Sequence, residues 1–304
     1  MAPIEGLHVP LVTPFDRAGA VDLRALERLA HRLLDDGADG LVALGTTAEA
    51  ATLDDAERDA VVDRCAGVCA ERGVPLTVGA GGNDTAAAAA EVARRGARPG
   101  VTALLSVVPP YTRPSPAGMR AHFAALADAS PVPLLLYDVP ARTGVRLPAA
   151  DQLALAAAAP MIAGVKLAVP ALDDDALELL EQAPPRFAVL CGEDRLLLPI
   201  VAAGGRGAIS AAAHVATGRF AALIAAGRAG DLTAAREESR ALAPLVRALF
   251  AEPNPAVIKA LLAADGAIES ADVRLPLTRA SAVAVERARA AAAALAATPA
   301  AMPA

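Results

Sequence analysis

The chain has 304 residues, of which 55% are hydrophobic and 20% charged, and its formal net charge is -6. This composition is typical of a soluble globular protein with a large core, and the lack of a basic surplus argues against nucleic acid as a partner. No apolar window reaches the roughly 18 residues of a membrane span outside alanine-rich helical text, and the N-terminus lacks the pattern of a secretory leader, so we expect a cytoplasmic protein.

Residue types that often bind metals show no metal-binding pattern. Cys65 and Cys69 lie one helical turn apart without Cys-x-x-Cys spacing, and Cys191 stands alone. The histidines are scattered and form no His-Glu-x-x-His motif. We therefore expect buried, reduced cysteines, no metal ion and no cofactor.

Short apolar runs alternate with alanine-rich runs of helical period over most of the chain. Eight runs are predicted to be strands, at residues 7–12, 39–44, 75–79, 101–107, 132–137, 161–166, 187–191 and 206–210. The first helix is predicted at 22–36, where leucines share one face, Asp22 caps the start and Gly37 the end. Eight strand–helix units favour an α/β fold of the parallel (β/α)8 TIM-barrel type over an open doubly wound sheet.

The C-terminal part of the chain has a different pattern. Helices are predicted at 216–229, 231–250, 254–265 and 278–297, with no strand between them. We therefore expect a catalytic barrel at residues 1–226 and a helical C-terminal extension at residues 227–304.

One lysine lies in an apolar segment. Residues 162–170 read IAGVKLAVP, and this Lys166 is one of only two lysines; the other is Lys259, and all other basic residues are arginine. Unlike arginine, a lysine in apolar surroundings can become a neutral nucleophile, because desolvation lowers the pKa of an amine. Such an amine condenses with a ketone to form a Schiff base. The alternative is a lysine that extends its ammonium group to solvent at the strand end.

Other polar residues follow the predicted strands, at the end of a barrel where active sites form. They are Thr46 and Thr47 after the second strand, Tyr111 after the fourth and Tyr137 at the end of the fifth. A tyrosine hydroxyl held by a threonine hydroxyl is suited to proton relay. These side chains are expected to meet at one mouth of the barrel.

Two features are suited to binding carboxylates. The backbone of the GTTAE turn, residues 45–49, can hold an anion through its N–H groups, although ordinary turn and cap chemistry explains the same residues. Arg142 can grip a carboxylate with its guanidinium fork, although many arginines of this chain could equally lie on the surface. The glycine-rich loops at 79–83 and 203–210 lack phosphate-binding spacing and are predicted to be barrel turns.

Nine motifs occur in a family's order over residues 7–280: PLVTPF, GTTAEAATL, VVPPYTRPSPAG, LLYDVPARTG, GVK, CGED, GGRGAIS, EPNPAVIK and VRLPLT. In these the chain resembles the dihydrodipicolinate synthase and N-acetylneuraminate lyase superfamily of Schiff-base aldolases. The resemblance implies pyruvate as a substrate, an aldehyde as its acceptor, and a homotetramer built from tight dimers.

The resemblance also implies a pyruvate pocket. Lys166 would form the imine with pyruvate, while Thr47 and the backbone from Gly45 onward would receive the pyruvate carboxylate. Gly192 and Ile209 match positions that line this pocket.

A proton relay and a second carboxylate site are implied in the same way. Thr46, Tyr137 and Tyr111 would form the relay, with Tyr111 reaching in from the adjacent subunit. Arg142 matches the arginine that binds the carboxylate of L-aspartate 4-semialdehyde in dihydrodipicolinate synthases.

Two positions depart from the family pattern. The usual GTTGE is GTTAE here, and if residue 48 needs a positive φ, Ala48 would be strained by about 1 kcal/mol or more. The residue after the lysine is usually polar or acidic, whereas here Lys166 is followed by LAVP at residues 167–170. This second departure bears on the identity of the acceptor.

Three hypotheses for the function follow. The first is condensation of pyruvate with L-aspartate 4-semialdehyde to 4-hydroxy-tetrahydrodipicolinate, a step of lysine and diaminopimelate biosynthesis. The second is a pyruvate-dependent aldolase or dehydratase that acts on a 2-keto-3-deoxy sugar acid or a related 2-oxo acid. The third is a catalytically silent barrel that binds or regulates, and the retained Lys166 and tyrosines argue against it.

Overall fold

The computed structural model describes residues 4–299, and its centre is a closed barrel of eight parallel strands in sequential order. The strands are β1 (Gly6–Pro10), β2 (Gly40–Ala43), β3 (Leu76–Gly79), β4 (Ala103–Val107), β5 (Leu134–Asp138), β6 (Ile162–Leu167), β7 (Ala188–Cys191) and β8 (Gly207–Ile209). Strand β8 closes the barrel by pairing with β1, for example Ala208 with Leu7. The predicted (β/α)8 TIM barrel is confirmed, and each predicted strand overlaps an observed one.

Helices follow the strands and cover the outside of the barrel. The α-helices within residues 4–299 are α1 (Leu23–Asp35), α2 (Asp55–Arg72), α3 (Thr85–Gly96), α4 (Pro116–Ala129), α5 (Pro140–Thr143), α6 (Ala149–Ala158), α7 (Asp174–Gln182), α8 (Leu197–Ala202), α9 (Ala213–Ala229), α10 (Leu232–Leu249), α11 (Ala256–Ala264) and α12 (Ala282–Ala296). In the described part of the chain, no helix combines the length and the apolar character needed to cross a membrane.

The first helix shows how the sequence sets the boundaries. The Asp22 carboxylate accepts hydrogen bonds from the backbone N–H groups of Arg24 and Ala25, which have no acceptor within the helix. The chain leaves α1 through Gly37, whose φ of 103° lies in a region that favours glycine. Both end signals predicted from the sequence are thus used.

The barrel has two apolar layers because side chains alternate along each strand. On β5, Leu135 and Tyr137 point into the barrel, where they pack with Leu190 and Ile209. Leu134 and Leu136 belong to the larger cluster between the strands and the helices. Residues at the carboxyl ends of the inward-facing rows therefore reach the barrel mouth.

The C-terminal helices α9 to α12 pack on one another beside the barrel. Helix α9 follows β8 and runs without interruption through residues 226 and 227, the position of the predicted boundary between barrel and extension. Residues 227–229 thus form the last turn of a helix that begins in the barrel. The loop from α10 to α11 returns to the barrel mouth, as described below.

Candidate active site

A groove of about 540 Å³ opens at the carboxyl end of the barrel. Its wall includes four of the predicted site residues, Gly45, Thr46, Tyr137 and Arg142. Asn254, from the loop between α10 and α11, also lines it. Residues that are distant in sequence therefore meet where barrel enzymes place their chemistry.

Lys166 lies on β6 and pairs in register with Tyr137 on β5. Because paired residues of adjacent parallel strands direct their side chains to the same face, both point into the barrel. Each residue is only 6% exposed, and the Lys166 Nζ atom lies 4.4 Å from the centre of the Tyr137 ring. The amine and the phenol expected to cooperate are thus neighbours, and Tyr137 is on the wall of the groove.

Gly192, directly after β7, provides space for the lysine side chain. A methyl group at this position would lie 2.8 Å from Cγ and 2.9 Å from Cε of Lys166. It would also lie 3.0 Å from Cβ of Ala168. Because Gly192 has no side chain, the Lys166 side chain can occupy the space beside it.

Gly192→Ala is expected to slow imine formation on Lys166 by roughly 10- to 100-fold, because the new methyl group displaces the lysine from its position. The rate is measured by trapping the pyruvate adduct with borohydride and weighing the intact protein. Gly67→Ala is the matched control, since a methyl group there meets nothing within 4 Å. A wild-type trapping rate in Gly192→Ala would contradict this role.

The turn after β2 is a short 3₁₀ helix, Thr46–Ala48, between two residues with a left-handed backbone. Leu44 and Glu49 both have a φ of 54°, whereas Ala48 has no positive φ. The backbone N–H of Ala48 donates to the Gly45 carbonyl at 3.1 Å. The strain considered for Ala48 therefore does not arise, because the left-handed positions lie on either side of it.

The two threonines of this turn differ in their surroundings. Thr46 is exposed on the wall of the groove, whereas Thr47 is buried at 3% exposure. The Asn254 side-chain amide donates a hydrogen bond to Thr47 Oγ1 over 2.9 Å. Sequence reasoning included Asn254 only as a letter of the EPNPAVIK motif and missed this contact.

The second lysine of the chain anchors the same turn. Lys259, on α11, has a fully buried side chain, and its Nζ donates to Glu49 Oε1 at 2.8 Å and to the Thr13 carbonyl at 2.9 Å. The other carboxylate oxygen of Glu49 accepts a hydrogen bond from the Arg274 backbone N–H at 2.7 Å. Burial lowers the pKa of Lys259, and the Glu49 carboxylate opposes that shift. The scarcity of lysine, which singled out Lys166, was an equal signal for Lys259.

Tyr111 lies apart from the other predicted groups. It is 90% exposed on the loop after β4, and its φ is 69°. Its neighbour Pro110 lines the groove, but Tyr111 is not among the described residues that do so. A single chain therefore brings Tyr137 to Lys166 and leaves Tyr111 on the surface.

Arg142 lies on the four-residue helix α5 that follows β5, with its side chain exposed at the groove. The segment after α5 is held by Asp138, which is fully buried and accepts a hydrogen bond from the Leu147 N–H at 3.1 Å. Burial raises the pKa of the Asp138 carboxyl to about 7, and Arg146, 3.7 Å away, partly offsets that shift. The loop that carries Arg142 is therefore fixed at both ends.

The apolar residues after Lys166 lie mostly behind the site. Leu167 and Val169 are fully buried in the layer between the barrel and the helices. Ala168 belongs to the cluster inside the barrel, as does the predicted pocket residue Ile209 at 1% exposure. The departure from a polar residue after Lys166 thus changes packing outside the barrel.

Comparison with known proteins agrees with this geometry. The model of the dihydrodipicolinate synthetase family matches residues 3–295. The chain is 42% identical to the 4-hydroxy-tetrahydrodipicolinate synthase of Moorella thermoacetica over 271 residues, which are 89% of this chain and 91% of that protein. The crystal structure of the dihydrodipicolinate synthase of Thermotoga maritima matches with a TM-score of 0.92 at 33% identity, covering 96% of this chain and 98% of that one.

A second solved structure is described as the first monomeric dihydrodipicolinate synthase variant. It matches with a TM-score of 0.92 at 32% identity and covers 96% of this chain and 97% of that one. These matches span nearly the whole chain and include the barrel and the C-terminal helices. The chain belongs to the dihydrodipicolinate synthetase family.

Proposed function

We propose that the protein condenses pyruvate with L-aspartate 4-semialdehyde to give 4-hydroxy-tetrahydrodipicolinate. The observation that carries this is the nearly buried Lys166 amine beside the Tyr137 ring. It lies in a barrel of the dihydrodipicolinate synthetase family, whose relatives at about 40% identity are named 4-hydroxy-tetrahydrodipicolinate synthases. An amine in such a position is suited to imine chemistry, and a phenol beside it is suited to proton transfer.

The reaction begins with pyruvate. The Lys166 amine adds to the ketone carbon, water leaves, and an imine forms. A proton then leaves the pyruvate methyl group to give an enamine. Thr47 and the N–H groups of the turn hold the pyruvate carboxylate, and Thr46 and Tyr137 line the proton path.

The carbon–carbon bond forms next. The enamine carbon attacks the aldehyde carbon of the semialdehyde, whose oxygen takes up a proton. The amino group of that substrate then attacks the imine carbon, which closes the ring and releases the Lys166 amine. The exposed Arg142 guanidinium binds the carboxylate of the semialdehyde.

We infer that Tyr111 completes the proton relay of a neighbouring subunit, in a homotetramer built from tight dimers. Its 90% exposure supports this, since a large aromatic side chain held out from the surface is suited to insertion into a partner. Sedimentation of the purified chain tests the assembly; a fully active monomer would contradict it.

The remaining features are consistent with this activity. The division into a catalytic barrel, residues 1–226, and a supporting extension, residues 227–304, stays our proposal. The three cysteines of the chain are free and buried, which supports a reducing cytoplasmic location.

The function is tested by assaying turnover of pyruvate with L-aspartate 4-semialdehyde, beside a panel of 2-keto-3-deoxy sugar acids. We expect condensation with the semialdehyde and little cleavage or dehydration of the sugar acids. Turnover of a sugar acid without turnover of the semialdehyde would replace this function by the alternative. A chain that neither forms a pyruvate adduct nor turns over any of these substrates would be a silent barrel.

Arg142→Ala is expected to raise the KM for the semialdehyde by roughly 10- to 100-fold, the cost of losing a charge-assisted bond of about 1.5–3 kcal/mol. Imine formation with pyruvate should stay within about twofold of wild type, since Arg142 lies on α5 and not on the barrel strands. Steady-state kinetics and adduct trapping measure the two effects. A loss of adduct formation equal to the loss of turnover would contradict this assignment.

A further inference from the structure

We propose, on the basis of the function above, that Asn254 is a positioning residue that fixes the direction of the Thr47 hydroxyl proton. The amide of Asn254 donates to Thr47 Oγ1 over 2.9 Å. A threonine hydroxyl has one proton and two lone pairs, so an oxygen that already accepts this bond turns its proton elsewhere. In the substrate complex we expect the pyruvate carboxylate to accept that proton.

The surroundings of Thr47 support this direction. Thr47 is 3% exposed, so bulk water does not compete freely for its hydroxyl. No residue of the described part of the chain accepts a hydrogen bond from the Thr47 hydroxyl. A buried donor without a protein acceptor is costly, and a bound carboxylate removes that cost.

The segment that carries Asn254 is anchored through Lys259. It precedes α11, and Lys259 on that helix is locked to Glu49, two residues beyond Thr47, at 2.8 Å. The same Nζ atom donates to the Thr13 carbonyl at 2.9 Å. Asn254 and the helix that follows it therefore contact the turn at Thr47 and at Glu49, which favours a fixed geometry of the donor and the hydroxyl before substrate binds.

Preorganisation of this kind affects binding of pyruvate more than the chemical steps that follow. A hydroxyl already pointed at the carboxylate loses less freedom when pyruvate binds. Without the amide, the hydroxyl rotates among several directions and only some of them meet the substrate. The effect should appear in KM for pyruvate, with little change in kcat.

A double-mutant cycle tests this role. Asn254→Ala is expected to raise the KM for pyruvate about 3- to 10-fold, the value of one hydrogen bond, with kcat within about twofold. Thr47→Val should raise that KM at least as much. If Asn254 acts through Thr47, adding Asn254→Ala to Thr47→Val should change the KM by less than about twofold.

The matched control is Gln182→Ala, which removes an amide side chain from the exposed last residue of α7, outside the groove. Its KM for pyruvate should equal that of wild type. Asn254→Asp provides a check of direction, because a carboxylate accepts the Thr47 proton that the amide leaves free. It should raise the KM for pyruvate more than Asn254→Ala does.

Each outcome is decisive. An unchanged KM in Asn254→Ala, or an equal cost of Asn254→Ala with and without Thr47→Val, would overturn the positioning role. A KM in Asn254→Asp equal to that of wild type would show that residue 254 accepts the hydroxyl proton, which also overturns it. Trapping of the wild-type pyruvate adduct runs in the same series, and its absence would instead overturn the proposed function.

Discussion

Lys166→Arg will abolish the pyruvate adduct and lower turnover by about 1,000-fold or more, because the reaction then lacks its nucleophile. Arginine keeps the positive charge but does not give up a proton near neutral pH, so it forms no imine. The measurement is the mass of the intact protein after treatment with pyruvate and borohydride, together with the rate of condensation.

The scarcity of lysine makes this experiment unusually clean. The variant retains Lys259 as the only lysine, and that side chain is fully buried and paired with Glu49. Wild type should gain one pyruvate and Lys166→Arg none. If Lys166→Arg still gained one pyruvate, another residue would be the nucleophile, and the mechanism would be contradicted.

Lys259→Met should lower the free energy of unfolding by about 3–5 kcal/mol, because it leaves the buried Glu49 carboxylate without its cation. Methionine keeps much of the apolar volume of lysine but cannot donate to Glu49 or to the Thr13 carbonyl. Urea unfolding followed by circular dichroism measures the loss.

Adding Glu49→Gln to Lys259→Met should recover part of that stability, because the neutral amide no longer places a bare charge in the core. It can still accept the Arg274 N–H, which Glu49 accepts at 2.7 Å. If the free energy of unfolding of Lys259→Met were within about 1 kcal/mol of the wild-type value, the salt bridge would contribute little to stability. The double variant thereby separates the cost of an unpaired charge from the loss of packing.

The barrel could be predicted from the sequence because each of its units is local. An apolar run followed by a helix such as α1, with Asp22 and Gly37 at its ends, carries its own boundaries. Lys166 and Tyr137 were predicted to meet because both end neighbouring strands of a parallel barrel, and the register confirms it. These predictions needed only the hydrophobic periodicity of the sequence and the closure of a parallel sheet into a barrel.

Other features depend on contacts that no local pattern contains. Glu49 and Lys259 are 210 residues apart, and only the return of α11 to the barrel mouth pairs them. The left-handed backbone lies at Leu44 and Glu49 and not at Ala48, since the tight turn between them sets φ more strongly than residue type does. Tyr111 is 90% exposed, and the relay role proposed for it needs a second subunit, which a single chain does not contain.

Tyr137 and Lys166 lie on barrel strands, whereas Arg142 lies on a loop helix, so the two groups of residues can change independently. The spacing of Tyr137 and Lys166 is set by the hydrogen-bond ladder between β5 and β6, so it survives insertions or substitutions in the loops. Arg142 lies beyond that ladder, on a helix of four residues. With the role proposed for Arg142, exchange of the segment 139–147 is expected to change the acceptor and to leave the pyruvate half of the reaction intact.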